Sequence, residues 1–506
     1  MGLVLKKIHD GLDKISEILG SRGFYGFVLG LFVFQSLWIA FSALYPQAFD
    51  ENFHFGLIKV YSHYWLPFLT KQPPNAYAYG AVARDPSYLY HYLMSFPYRL
   101  MALFIHAQTA QVIILRVMDI GLFLIGLEIF RRVLIKAKVS KALTNVILLI
   151  FILIPIVPQL AGQISYDDML FPLIAWICLQ ALHIIDDIKR HKLSSIRLFI
   201  LAITIILTGI EKYASLPISL AVVVYIAYEL YVNYQPKLKV IWQEFKADFI
   251  KNPAWLKWLL IIGLIISIGM FLERDGVNLV EYHRIAPSCA KVLSVNQCKP
   301  YSAWYATYAR HEYLIEGKTH ITFGLIRYIG QWFYWMWYRL FFAVNGPKSN
   351  FASKGPLPIP SVVAIILAVV SLIALIIYRK KVFRKNPYAK LLFSVAVFYC
   401  LILFIQGYLT YNYTAVLENM NGRYLIPILL PLAAVLGPAF SYAMHRSGIS
   451  KALAAIIIIF LFLQGGGLFT FILRSNHNWY WSNDTIVKIN EEARKVAKRV
   501  IIKHKS

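Results

Sequence analysis

Asp50, Glu51 and His54 stand within five positions of one another in "YPQAFDENFHFGLIK", where the first long apolar run gives out. A carboxylate in that place can act as a general base toward an acceptor hydroxyl. Burial would raise its pKa and a neighbouring cation would lower it, and that balance decides whether it is ionised at neutral pH. Side chains of adjacent residues point in different directions, so at most one of Asp50 and Glu51 faces a given substrate. Asp50 also fits a plainer role, the N-cap of a helix that begins at Glu51. For His54 the plainer role is a buried imidazole with its hydrogen bonds made.

Three further stretches carry ionisable groups at the ends of apolar runs: Asp167 and Asp168 in "ISYDDMLFPL", Glu211 and Lys212 in "EKYASLPISL", and Arg423 in "GRYLIPILLPL". Such groups at the edge of hydrocarbon are costly, which makes them functional candidates. Arg423 can grip a phosphate with two parallel hydrogen bonds, whereas Lys212 offers a point charge. Each has a structural alternative: either aspartate as a helix cap, Glu211 and Lys212 as a tight turn, Arg423 as a headgroup anchor. No His, Cys or Asp cluster has recognised metal-ligand spacing, so a divalent metal is conceivable but unsupported. No Gly-rich phosphate loop or serine nucleophile elbow is present.

The elements that must position these groups are apolar helices. Of 506 residues, 59% are hydrophobic and only 15% charged, and the mean hydropathy is +0.58, too little polar surface for a soluble globule. The formal charge of +26 sits in short loops between apolar runs, the pattern of cytoplasmic loops rather than of a nucleic-acid groove. About eleven runs have the length to cross a bilayer: 24–45, 109–130, 142–161, 169–185, 195–210, 214–233, 254–272, 358–378, 390–409, 424–444 and 452–473. Their alternation puts the basic loops at 131–141, 189–192, 237–257, 378–385 and 445–451 on one side, expected to be the cytoplasm. Asp50, Asp167, Lys212 and Arg423 then share the other side.

The predicted organisation is an all-α polytopic membrane protein. An amphipathic cytoplasmic helix at 1–23, with no cleaved signal, precedes a transmembrane domain at 24–473 with external loops at 46–108 and 274–357. An amphipathic basic tail follows at 474–506, and the count leaves it outside. The aromatic-rich stretch 321–345 suits an interfacial helix, although a spanning helix would bring the tail inside. Cys289 and Cys298 share a polar loop and would form a disulfide if that loop faces an oxidising compartment.

"D-E-x-x-H" just after the first run, followed in order by the three stretches quoted above, resembles the GT-C superfamily of polytopic glycosyltransferases, closest to a largely uncharacterised bacterial branch. The resemblance covers about 45 to about 432. It departs from the family at "ARDPSYLYHYL" (83–93), where Asp85 and Pro86 stand in for a His-Pro-Pro-like element, which puts any acceptor contact from that element in question. The resemblance implies a GT-C-like fold in the cell membrane and a polyprenyl-phosphate-linked sugar as donor. The acceptor would be an extracytoplasmic glycan, lipid or protein, and transfer would invert the anomeric carbon. Carried onto this chain, it makes Asp50 the base, with Glu51 beside it in the catalytic set. Substrate binding falls to His54, Asp167, Asp168, Lys212, Tyr213, Arg423 and Tyr424, and the loop 274–320 is a possible lid. A transporter or flippase of a lipid-linked or anionic substrate stays open as an alternative. Arg116 and Asp119, three apart inside an apolar run, would favour it if they line a path rather than pair with each other. So does a non-catalytic protein that binds lipid-linked sugars.

Overall fold

Helix follows helix through the described residues with no strand among them; Ala43 and Tyr480 form an isolated antiparallel bridge. The computed structural model describes residues 14–48, 50–234, 238–341, 359–384, 386–418, 420–444 and 448–502. In chain order the helices are α1 (Arg22–Ser42), α2 (Glu51–Tyr61), α3 (Leu89–Ala102), α4 (Gln108–Lys136), α5 (Lys141–Ile152), α6 (Ile156–Ala161), α7 (Asp167–Lys189), α8 (Ser195–Glu211), α9 (Leu216–Tyr234), α10 (Leu238–Lys251), α11 (Ala254–Phe271), α12 (Ser302–Ile315), α13 (Leu325–Phe341), α14 (Ile359–Phe383), α15 (Pro387–Thr414), α16 (Ile426–Ala443), α17 (Gly448–Leu463), α18 (Leu468–Arg474) and α19 (Asp484–Ile502), with shorter turns between them.

Among the described residues, 8 helical segments are long and apolar enough to cross a membrane: those of α1, α7, α9, α11, α14, α15 and α16, and Leu453–Arg474 through α17 and α18. The chain is therefore a multi-pass, all-helical membrane protein, with fewer such segments than the eleven expected. The other three apolar runs are helical but different in kind. The run 109–130 lies in α4, 29 residues long but carrying Arg116, Asp119, Glu128, Arg131 and Arg132. The run 142–161 breaks between α5 and α6 at Leu153–Pro155, because proline has no amide hydrogen to continue α5. The run 195–210 gives α8, of 17 residues. Of the expected N-terminal helix, residues 1–13 lie outside the described residues; 14–20 are helical.

α7 is the centre of the bundle, with 78% of its apolar window buried, against 17–44% for the other seven segments. It packs along α4. Phe123 of α4 stacks on Phe171 of α7 at 4.2 Å between ring centroids, and Phe151 of α5 stacks on Phe171 at 5.6 Å. Gly126 makes this approach possible, since a Cβ there would stand 2.4 Å from the Phe171 ring.

The basic loops gather at one end. Lys136 pairs with Asp186 and Arg197 with Asp187; Asn386 Nδ2 donates to the Ala137 carbonyl at 3.0 Å, and Ser195 Oγ to Asp248 at 2.7 Å. This is the end expected to be cytoplasmic; of the fifth loop, residues 445–447 lie outside the described residues. Asp50, His91, Asp167, Lys212 and Arg423 meet at the opposite end. The tail is at that opposite end too, where Leu44 N donates to Trp479 O at 2.8 Å and Trp481 N to Ser42 O at 3.1 Å. α13 covers 325–341 of the aromatic stretch. Residues 342–345 of that stretch lie outside the described residues. The helix buries Tyr328, Trp332 and Met336 and exposes Ile326, Phe333 and Tyr334. The loop from 283 to 301 is tied by a Cys289–Cys298 disulfide.

Candidate functional site

The site forms where four chain segments end. Asp50 occupies the N-cap position of α2 at φ 68°, and its side chain does not cap the helix. The carboxylate turns instead to Arg423, whose Nη2 donates to Oδ2 at 3.1 Å. Arg423 sits on a 3-10 turn, Gly422–Leu425, that leads into α16; Asn421 Oδ1 accepts from its backbone amide at 3.1 Å. Gly422 is packed so closely on α13 that a Cβ would stand 2.6 Å from the Leu340 nitrogen.

Arg423 Nε is also 3.9 Å from Oδ2 of Asp167, at the start of α7, and Asp167 Oδ1 accepts from Lys212 Nζ at 2.6 Å. Charges alternate along Asp50, Arg423, Asp167 and Lys212, which compensates two cations that are only 6% and 5% exposed. Asp50 is the open end of the series, its side chain 62% exposed. Aromatic faces complete the cradle: Lys212 Nζ is 4.4 Å from the Tyr166 ring centroid and 5.0 Å from that of Tyr424, and Arg423 is 5.3 Å from Tyr424.

Below this lies a pair of buried imidazoles. His54 Nδ1 and His91 Nε2 are 2.9 Å apart and share one proton. Burial, first of all, and then His91, Arg423 and Lys212 hold His54 well below the ordinary 6.5. Burial takes His91 down to about 3. Both rings are therefore neutral at physiological pH. The Tyr166 ring is 4.6 Å from His54, and above α2 Tyr301, just past the disulfide loop, stacks on Phe53 at 5.7 Å.

The structure thus joins Asp50, Asp167, Lys212, Arg423 and Tyr424, sets His54 beneath them, and leaves Tyr213 half-exposed at the rim. It takes two predicted residues away. Glu51 is fully buried and faces the bundle, gripping Arg116 through Nε at 2.7 Å and Nη2 at 2.8 Å, and accepting from the backbone of Gln47 and Ile164 at 2.7 and 3.1 Å. A carboxylate so enclosed has no room for a substrate, so it braces the fold and does not belong to the catalytic set. Asp168 turns inward, fully buried, and neither of its carboxylate oxygens has a hydrogen-bond partner among the described residues. Nor do Arg116 and Asp119 pair with each other. Arg116 Nη1 donates to the carbonyls of Ala40 and Ala43 at 2.9 and 2.7 Å, while Asp119 accepts from Tyr90 at 2.7 Å.

Sequence reasoning missed His91, Tyr166 and Tyr301. His91 sits in the "ARDPSYLYHYL" departure and Tyr166 directly before the two aspartates, but only the fold brings either to His54. Among the described residues no group of three or more His, Cys, Asp or Glu side chains could hold a metal ion. No protein-family model and no curated protein matches this chain.

Proposed function

We propose that this protein is a membrane glycosyltransferase that takes a sugar from a polyprenyl phosphate and delivers it to an acceptor hydroxyl on the extracytoplasmic side. The observation that supports this best is the Asp50–Arg423 contact, a half-open ion pair whose cation is buried and whose carboxylate faces outward. An entering lipid phosphate competes with Asp50 for the Arg423 guanidinium, which binds it through two parallel N–H donors while Lys212 adds a point charge. The displaced carboxylate is then free beside the sugar. It accepts the proton of the acceptor hydroxyl as that oxygen bonds to the anomeric carbon, and the bond from that carbon to the phosphate oxygen breaks with its electron pair on the phosphate. Attack from the opposite side inverts the centre. Because phosphate is a competent leaving group, no second carboxylic acid is required, unlike in a glycosidase.

The membrane side, the GT-C relationship and the acceptor class are parts of the same proposal. The test is Asp50→Asn: transfer from a polyprenyl-phosphate sugar is lost while donor binding persists. Full activity in that variant rejects the base, and a wild-type chain that binds donor without turnover makes the protein a binding relative.

A transporter is the second reading, favoured by Asp168, whose carboxylate is wholly buried without a hydrogen-bond partner among the described residues. Counterflow of a lipid-linked substrate in vesicles, unaffected by Asp50→Asn, would select it.

A further inference from the structure

α19 plays no part in the candidate site, and its faces are sorted by chemistry. Asn490 and Ala497 are buried against the bundle. Trp38 Nε1 donates to Asn490 Oδ1 at 2.9 Å, and Asn490 Nδ2 donates to Ser42 Oγ at 3.0 Å. Ile489 and Val496, seven residues apart and so on one side of the helix, are 49% and 58% exposed. Round the helix from them come Lys488, Lys495 and Arg499, all exposed. Lys495 pairs with Glu492 at 2.7 Å, whereas Lys488 and Arg499 make no ion pair among the described residues.

Between α19 and α1 lies an apolar wedge of 430 Å³ lined chiefly by Phe34, Leu37, Trp38, Phe41, Ile486 and Ile489, within the roughly 300–1,000 Å³ of ordinary ligand sites. The α1 side of the wedge belongs to a membrane-crossing segment, so its exposed Phe34 and Phe41 meet hydrocarbon. The polar groups nearest the wedge, Ser42 and Asn490, are already bonded to each other, so water entering it would find few partners. A hydrocarbon chain fits it, and the exposed Lys488, next to Ile489 of its lining, calls for a negative headgroup, reached by a side chain that lies along apolar surface and ends in the polar layer.

We propose that the α1–α19 wedge binds one anionic phospholipid of the leaflet on the Asp50 side, an acyl chain against Phe34, Phe41 and Ile489 and the phosphate against Lys488. Bound there, the lipid clamps the tail to the end of the first span. Trp481, in the same connection, lies 5.8 Å from the Arg116 guanidinium that braces Glu51.

The test uses the full chain reconstituted in vesicles of equal phosphatidylglycerol and phosphatidylcholine, re-extracted in mild detergent and weighed by native mass spectrometry. Wild type retains phosphatidylglycerol over phosphatidylcholine. Lys488→Gln lowers that preference about fivefold. Ile489→Trp, which fills the wedge from an exposed position, removes a bound lipid of either kind, and Phe41→Trp repeats the loss from the α1 side. Equal retention of the two lipids by wild type, a preference unchanged by Lys488→Gln, or lipid retained in full by both tryptophan variants overturns the proposal. So does a lipid-free wild-type dimer that Ile489→Trp dissociates.

Discussion

Arg423 and Asp50 lie 373 positions apart in the chain and 3.1 Å apart in space. The buried partner holds the exposed one in place, so the two should fail differently when changed. Asp50→Asn keeps a hydrogen-bond acceptor beside Arg423 but loses the base, and we expect transfer to fall about 10²–10⁴-fold with the thermal midpoint nearly unchanged. Arg423→Lys keeps the charge and loses the fork, so donor binding weakens as well. Donor affinity and turnover, measured separately, check both; Asp50→Asn at wild-type rate would remove Asp50 from the mechanism.

The Lys212–Asp167 pair is buried on both sides, and breaking it strands a charge. Lys212→Met should destabilise the protein by about 3–5 kcal/mol, and Lys212→Met with Asp167→Asn should recover much of that, because removing both partners strands neither. Thermal unfolding in detergent reads the pair of values. Additive losses would mean the two side chains do not depend on each other.

For Glu51 the expectation is structural. Glu51→Gln leaves Arg116 buried and uncompensated beside the Ala40 and Ala43 carbonyls, at a cost of about 3–5 kcal/mol. Whatever protein still folds should keep its rate of transfer per folded molecule. A fully stable but inactive Glu51→Gln would instead return Glu51 to the catalytic set.

The imidazole pair gives a pH dependence whose direction is determined. His54 and His91 titrate lower in the folded protein than the ordinary 6.5, His91 at about 3. Above pH 6.5 both states carry them neutral and they add no slope. As pH falls below that, the unfolded chain takes up protons that the folded one refuses, and stability declines by up to about 1.4 kcal/mol per pH unit for each ring. For His91 the decline runs down to about pH 3. Unfolding midpoints of wild type and His91→Phe between pH 7 and 5 check this: the variant should lose part of the slope. An identical slope in both would mean His91 is not excluded from water.

Membrane character, helical class and the gathering of the charged loops at one end were legible in the sequence because each depends on local composition. A run of apolar side chains must be shielded from water wherever it lies, and lysines at its ends cannot be drawn into hydrocarbon. The same locality explains why three of the eleven runs are not among the 8 long apolar segments, since hydropathy does not register that Pro155 splits one run in two or that α4 carries charges kept inside the bundle by Glu51 and Tyr90. The four stretches with candidate residues were recognisable as places, and the opposed directions of adjacent carboxylates followed from backbone geometry alone. Which member of each pair faces the site was not legible. Asp50 and Asp167 look toward Arg423, while Glu51 and Asp168 look into the core, because the left-handed backbone at Asp50 and the phase at which α7 begins set the directions. His91 and Tyr301 carry no local mark at all: they acquire meaning only when α3 and the disulfide loop are packed on α2, and such contacts depend on where distant segments come to rest.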